Sequence, residues 1–440
     1  MFEEEISAGV EPKLFLPYVD EALKAFSEFS REKLQRTEVL HDVLEQFFQD
    51  EIQNMQVYKT KDGAASLPYT SINITEFAKR MYKRYAGTAV EASKITQSSE
   101  PAKKKTVIFF TSFLATKSGH PFVFAELVMQ QAVRALAPTI QAFQEGRVPK
   151  DVRVVTLGSP TNNRWGSISQ QYAERIQKDA YTTLGNTYAE LLESTGILSD
   201  HAGQDAIVLH GTSMGGSLAG RTAEKLLSDG VATQSQQERM EQNRPFLQVR
   251  MDSPAGVRRE GHKWPRWKKL QTPLGFAGEV LKIAAKDHDT IKTALGEDKF
   301  LEGLQKETEK RGIPTMHDEQ QEIRKQGVVK SLIDQLKSGV SLKPNIKVNL
   351  VTGLSDLLTK SRWDRVAKRK IRSYEGVSEP LGRNIIPGES PQRREVAIES
   401  GHLIPFFKRK SGNEMWAWAR SIDKLIVLKN SSSANFIPIH

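Results

Sequence analysis

The 440-residue chain has no cysteine. That single absence removes disulfide staples, zinc–thiolate sites, iron–sulfur clusters and cysteine nucleophiles together. No stretch of eighteen apolar residues occurs, so no membrane-spanning helix is expected. The first residues, MFEEEISAGV, are acidic where a signal peptide is basic, and no apolar h-region follows them. These absences lead to the expectation of a soluble, cytoplasmic chain. Metal signatures are missing as well: there is no H-E-x-x-H, no EF-hand loop and no close His/carboxylate cluster. Neither a Walker P-loop nor a G-x-G-x-x-G after a strand is found, and no cofactor is expected.

What is present in excess is positive charge, +10 overall. Residues 256–270 carry a net +5 and residues 360–372 a net +6, together slightly more than the whole excess. Trp264, Trp267 and Trp363 lie inside these runs. Two solvated basic faces explain the pattern, and so does a peripheral contact with an anionic partner such as a lipid surface. No nucleic-acid module accompanies the runs, so specific nucleic-acid binding is not expected.

Hydrophobic periodicity divides the chain. Residues 1–57 recur at three- and four-residue steps and read as helix. Residues 57–75 read as a possible hairpin around Lys61-Asp62-Gly63, and residues 76–95 return to helix. From 106 to 251 the pattern alternates. Short apolar runs at 106–111, 152–157 and 206–210 read as buried strands, and 245–251 reads as a fourth strand. Helical patterns at 124–143, 169–195 and 217–229 separate them. The alternation predicts an α/β fold, a mostly parallel sheet with helices on both faces. It stops over 256–340, which is basic, polar and helix-rich without a convincing strand. It resumes with strands at 346–351 and 394–399 and a helix at 413–428. The expected organisation is a mainly helical N-terminal extension (1–100), a core (101–255 and 341–440) and an inserted helical block (256–340).

The most informative segment is Ala206-Ile207-Val208-Leu209-His210-Gly211-Thr212-Ser213-Met214-Gly215-Gly216. It is a strand, then G-x-S-x-G-G, then a helix. A serine at a sharp strand-to-helix turn is held in a strained backbone conformation with its hydroxyl above the sheet edge. Residues two places either side must be small, because strand and helix nearly touch there. The following helix aims its N–H groups and dipole at the turn, which favours negative charge. Two other predicted strands end comparably. Residues 346–351 lead into Thr352-Gly353-Leu354-Ser355-Asp356, and residues 394–399 into Ser400-Gly401-His402. Parallel strands end on one edge, so Ser213, Asp356 and His402 can converge. Asp252, at the end of strand 245–251, is the alternative acid, and Asp364 lies mid-run in an expected helix. Of the other histidines, His210 reads as a packed strand end and His120 as a loop residue. His41, His262, His288 and His440 have no assigned role.

At these residues the chain resembles the α/β-hydrolase family. The elbow GTSMGG, the acid turn VTGLSD, the histidine turn SGHLIP and the strand–loop VIFFTSF at 107–113 carry the resemblance, which spans about three-fifths of the chain. The resemblance implies a serine hydrolase of esterase or lipase type, with thioester or amide cleavage also open. It implies Ser213 as nucleophile, His402 as general base and then acid, and Asp356 as the residue orienting His402. The backbone N–H of Met214 and that of Phe113 would form the oxyanion hole. In the family that second loop often reads His-Gly-aromatic; here it reads Thr111-Ser112-Phe113. The inserted block occupies the family's cap position, and a small-molecule or lipid acyl substrate follows. A fold relative that binds an anionic partner without catalysis is the alternative.

Overall fold

A computed structural model describes residues 46–47, 49–50, 53–86, 104–110, 142, 151–158, 166–199, 206–252, 254, 257–259, 306, 309–312, 327–328, 331–332, 334–335, 340–342, 346, 348–353, 382–383 and 393–398. Within them the chain begins with a hairpin, β1 (Gln56–Lys59) and β2 (Ala65–Asn73). Its turn is built by side chains. The Thr60 hydroxyl donates to Asp62 Oδ1 at 2.8 Å, and Ala64 N–H donates to the same oxygen at 3.0 Å. Gly63 takes φ +68°, a region that costs glycine little. Asn73 then starts α1 (Ile74–Ala86) by accepting from Glu76 N–H at 3.0 Å, as an N-cap does.

The next elements are β3 (Lys104–Phe110), β4 (Asp151–Leu157), β5 (Ser167–Ile168) and α2 (Gln170–Ser194). They are followed by β6 (Ala206–Thr212), α3 (Met214–Ser228), α4 (Gln236–Gln242) and β7 (Phe246–Asp252). The remaining strands are β8 (Val257–Arg259), β9 (Val340–Leu342), β10 (Val348–Gly353), β11 (Gly382–Arg383) and β12 (Arg393–Ile398). The main sheet runs β1-β2-β4-β3-β6-β7-β10-β12-β11, with β5 beside β2. Its centre, from β4 to β12, is parallel. The N-terminal hairpin and β11 attach antiparallel at the two edges. The fold is thus the mostly parallel α/β sheet expected, with a mixed character at its edges.

Side-chain alternation separates the two faces. Ile108, Val155, Leu209, Val249 and Val348 are register neighbours, all buried in one core with α2 and α3. The intervening row, Ile72, Val154, Val107 and Val208, is buried outside that core. On this side α1 packs against β4 and β2 and buries Phe77 and Met81. Helices therefore cover both faces.

Several expectations shift in detail. The strand at 206–210 continues to Thr212, so that no loop separates it from α3. The helix expected at 217–229 begins three residues earlier, at Met214. The block expected to be strandless contains β8, which pairs in parallel with β9 from its far end. A three-residue strand shows no periodicity, so only the pairing reveals it. Residues Val328 and Leu332, late in that block, are fully buried in the core. The expected helix at 413–428 lies outside the described residues. So does all of 124–143 except Ala142, which is helical.

Candidate functional site

Strand β6 delivers its last residues to the edge where the parallel strands end. His210, Gly211 and Thr212 are buried, as is Met214, whereas Ser213 between them is partly exposed. Ser213 has φ 55° and ψ −121°. It is one of two non-glycine residues with positive φ among the described residues; the other, Asn243, is the left-handed cap of α4. For an L-residue such a conformation costs about 1–3 kcal/mol and persists only where the surroundings impose it.

The imposing contact is visible at Gly211. A Cβ there would lie 2.1 Å from both the carbonyl carbon and oxygen of Gly215, and 2.5 Å from the Gly216 nitrogen. Strand and helix backbones are in direct contact across the turn, so the chain reverses within Thr212 and Ser213. Gly216 is held almost as closely. A Cβ on it would sit 3.0 Å from Pro254 Cβ, 3.1 Å from Gly211 O and 3.3 Å from Met251 Cβ. Gly216 N–H donates to Ser213 O at 3.1 Å and closes the turn.

The conformation has a chemical consequence. A serine just before a helix ordinarily turns its hydroxyl onto the first-turn N–H groups. Ser169 does so at α2, accepting from Tyr172 N–H at 3.2 Å. Ser213 occupies the same position at α3, yet its side chain caps nothing. The first residue of α3 is Met214, whose N–H belongs to the helix's unsatisfied first turn and its positive dipole end. The turn therefore combines a hydroxyl diverted from capping with a backbone donor beside it.

The other strand ends lie along the same edge. Thr212 is in register with Asp252, Asp252 with Val351, and Gly353 with Ile398. The alternative acid thus has its backbone one strand from the serine turn. On the other side of β6, Phe110 is in register with Gly211. Phe113, Asp356 and His402 follow β3, β10 and β12 by three, three and four residues and lie outside the described residues. Asp364, His41, His120, His262, His288 and His440 also lie outside them, as does basic run 360–372. Of run 256–270 only the β8 residues are described.

His210 is 1% exposed and forms part of its strand's packed interior, as expected. One buried cation was not singled out from sequence. Arg250 is 3% exposed and in register with His210. The run Phe246-Leu247-Gln248-Val249-Arg250-Met251 is buried from Leu247 on, yet its two faces differ in chemistry. Leu247, Val249 and Met251 enter the core with α2 and α3, while Gln248 and Arg250 alternate away from it. Strict period-two alternation around Val249 is the signal that marks this. Among the described residues no group of three His, Asp or Glu side chains could hold a metal ion. No helix among them is long and apolar enough to cross a membrane.

No protein-family profile matches the chain, and no curated protein sequence matches it. Solved structures do resemble it. A putative lipase from Acinetobacter baumannii AYE is 11% identical, covering 89% of this chain and 97% of its own, with a TM-score of 0.36. The 2-hydroxy-6-oxo-6-phenylhexa-2,4-dienoate hydrolase of Rhodococcus sp. strain RHA1 is 11% identical over 85% of this chain and 99% of its own, with a TM-score of 0.39. An alpha/beta hydrolase fold protein from Nakamurella multipartita is 13% identical over 83% and 98%, with a TM-score of 0.35. Likeness at this level assigns neither substrate nor residue.

Proposed function

We propose that this chain, with its mostly parallel α/β sheet, is a serine hydrolase of the α/β-hydrolase type cleaving a carboxylic ester or related acyl bond. The observation that carries the reading is Ser213: positive φ, partial exposure, and a hydroxyl that does not cap the helix it precedes. A strained strand–turn–helix serine is the context that gives G-x-S-x-G its meaning.

In the proposed mechanism Ser213 Oγ attacks the acyl carbon as His402 takes its proton. Asp356 orients His402 and stabilises its imidazolium form. The N–H groups of Met214 and Phe113 hold the oxyanion of the tetrahedral intermediate. The leaving group departs with the proton from His402, leaving an acyl-enzyme. Water, deprotonated by His402, then attacks the acyl carbon, and His402 gives the proton to Ser213 Oγ as the acid leaves. Removing one oxyanion donor typically costs about 10²–10³ in rate, so the Met214 N–H carries a substantial share of the catalysis.

Chain reach supports the three-residue arrangement. Neighbouring strands are about 4.8 Å apart, so β10 and β12 lie about 10 and 14 Å from β6. An extended residue spans at most about 3.3–3.6 Å, so three residues after Gly353 and four after Ile398 are enough to span those gaps. The elbow does not select among ester, thioester and amide substrates. Substrate choice is assigned to the 256–340 block, whose Trp264, Trp267 and basic residues suit an acyl chain with an anionic head or a lipid surface.

Labelling with a fluorophosphonate probe tests the reading. Wild-type protein should label, and Ser213→Ala and His402→Ala should not. A folded wild-type protein that resists the probe would reject an activated Ser213.

A further inference from the structure

Helix α2 is broken in the middle, and its break is filled by a side chain from 155 residues away. Asp179 has φ −153° and ψ 88°, outside the helical region. In an unbroken helix Ala180 N–H would donate to Ile176 O. Here Ala180 N–H donates to Gln335 Oε1 at 2.7 Å, and Gln335 Nε2 donates to Ile176 O at 3.3 Å. The side-chain amide stands between the two groups it separates, one end on each. It acts as a peptide group inserted into the helical ladder.

Further groups at the break also find partners. Gln335 Nε2 and the Ser331 hydroxyl both donate to Gln177 O, at 3.3 and 3.0 Å. Thr182 N–H donates to Asp179 Oδ1 at 3.1 Å, which caps the second half of the helix. The Thr183 hydroxyl donates to Arg175 O at 3.2 Å. Eight residues of straight helix span about 12 Å, so that last bond requires a pronounced break. A kink of this kind arises where a side chain enters the hydrogen-bond ladder; no proline or glycine occupies 175–183. Gly327 lies against the same turn of α2, where a Cβ on it would come 2.1 Å from Gln177 Nε2. Val328 and Leu332 bury their side chains in the core alongside.

We propose that the Gln335 amide is a wedge holding α2 bent, and that docking of Gly327, Val328, Ser331, Leu332 and Gln335 and bending of α2 are one two-state equilibrium. In the docked state Gln335 divides the Ile176–Ala180 bond. In the released state α2 straightens and makes that bond itself, so neither backbone group is orphaned. The wedge lies five residues before β9, whose pairing with β8 closes the inserted block. It therefore sets where that block rejoins the core.

Residue-resolved hydrogen exchange on the full chain tests the coupling. Gln335→Leu keeps bulk and removes the amide. The several bonds lost with this part-buried amide are together worth about 1–3 kcal/mol, so Ser331 and Leu332 amides should exchange about 10–100-fold faster. The Ala180 amide should keep its protection, because Ile176 O replaces Gln335 Oε1. Asp179→Ala, at an exposed position, removes the cap of the bent form and should speed Ser331 and Leu332 exchange in the same direction. Ala180 losing protection together with Ser331 in the leucine variant would overturn the proposal, as a local loss of contacts. Unchanged Ser331 and Leu332 exchange in either variant would overturn it too.

Discussion

Replacing Gly211 by alanine isolates the contact on which the serine turn depends. Gly211 has no positive φ, so alanine can adopt its backbone conformation without dihedral strain. The whole effect must come from the added carbon. That carbon would lie 2.1 Å from two backbone atoms of Gly215, against an ordinary contact of 3.4 Å or more, so strand and helix must separate by about 1.3 Å. Neither partner is the end of a flexible side chain, and α3 is pinned from behind by buried Leu218, Ala219 and Ala223. Overpacking costs about 1–3 kcal/mol in general, and a backbone–backbone collision belongs at the upper end. A shift near 1 Å at reacting groups can cost about 10²-fold in rate. The assay is urea unfolding followed by fluorophosphonate labelling of the folded fraction. The expectation is a loss of about 3 kcal/mol with an unchanged m-value, and labelling slowed by about 10²-fold. Gly312→Ala is the control: nothing lies within 4 Å of its Cβ position but φ is +62°, so it reports dihedral strain alone. A Gly211→Ala protein with wild-type midpoint and labelling rate would refute the argument that this close approach creates the Ser213 geometry.

Gly185→Ala should destabilise the chain by about 1–3 kcal/mol without slowing probe labelling of the folded protein, because the added carbon meets Arg221 Cβ at 2.7 Å where α2 crosses α3; thermal unfolding reads it. The choice of acid is decided by comparing Asp356→Ala with Asp252→Ala: the first should lower turnover of an activated ester by about 10⁴-fold and the second should leave it within about tenfold. The reverse order would assign the role to Asp252. Asp62 holds the N-terminal hairpin to α2, and its carboxyl lies below the usual range because it accepts from Ala64 N–H and Thr60, with Arg175 beside it. A depressed carboxylate contributes stability above its unfolded pKa near 4 and loses it as pH falls through the lower folded value. Limited proteolysis should therefore show hairpin release beginning below about pH 4, and Asp62→Asn should remove that dependence.

Legibility in the sequence followed the range of the interactions concerned. The parallel centre was readable because each strand is buried on both faces and so appears as an apolar run, as Val107-Ile108 and Ile207-Val208-Leu209 do. The serine turn was readable because its steric demand is local: Gly211, Ser213 and Gly215 are close in sequence and the collision is between them. The kink in α2 was not. Gly185 is that helix's one interior glycine, the natural place to expect weakness, yet it sits in regular helix and serves the approach of Arg221. The break falls instead at Asp179, where the local sequence Ile-Gln-Lys-Asp-Ala-Tyr holds neither of the strong helix breakers, proline and glycine. Its cause is Gln335, which no window around Asp179 contains. The same holds for β8, three residues whose pairing partner lies across the inserted block. Arg250 shows the intermediate case. Its burial follows from register with His210, while its sequence neighbours alone suggest an apolar strand. A local pattern therefore specifies an element when that element's energetic partners are its own neighbours. Where a distant side chain supplies the hydrogen bonds, propensity is overridden and only the assembled chain shows it.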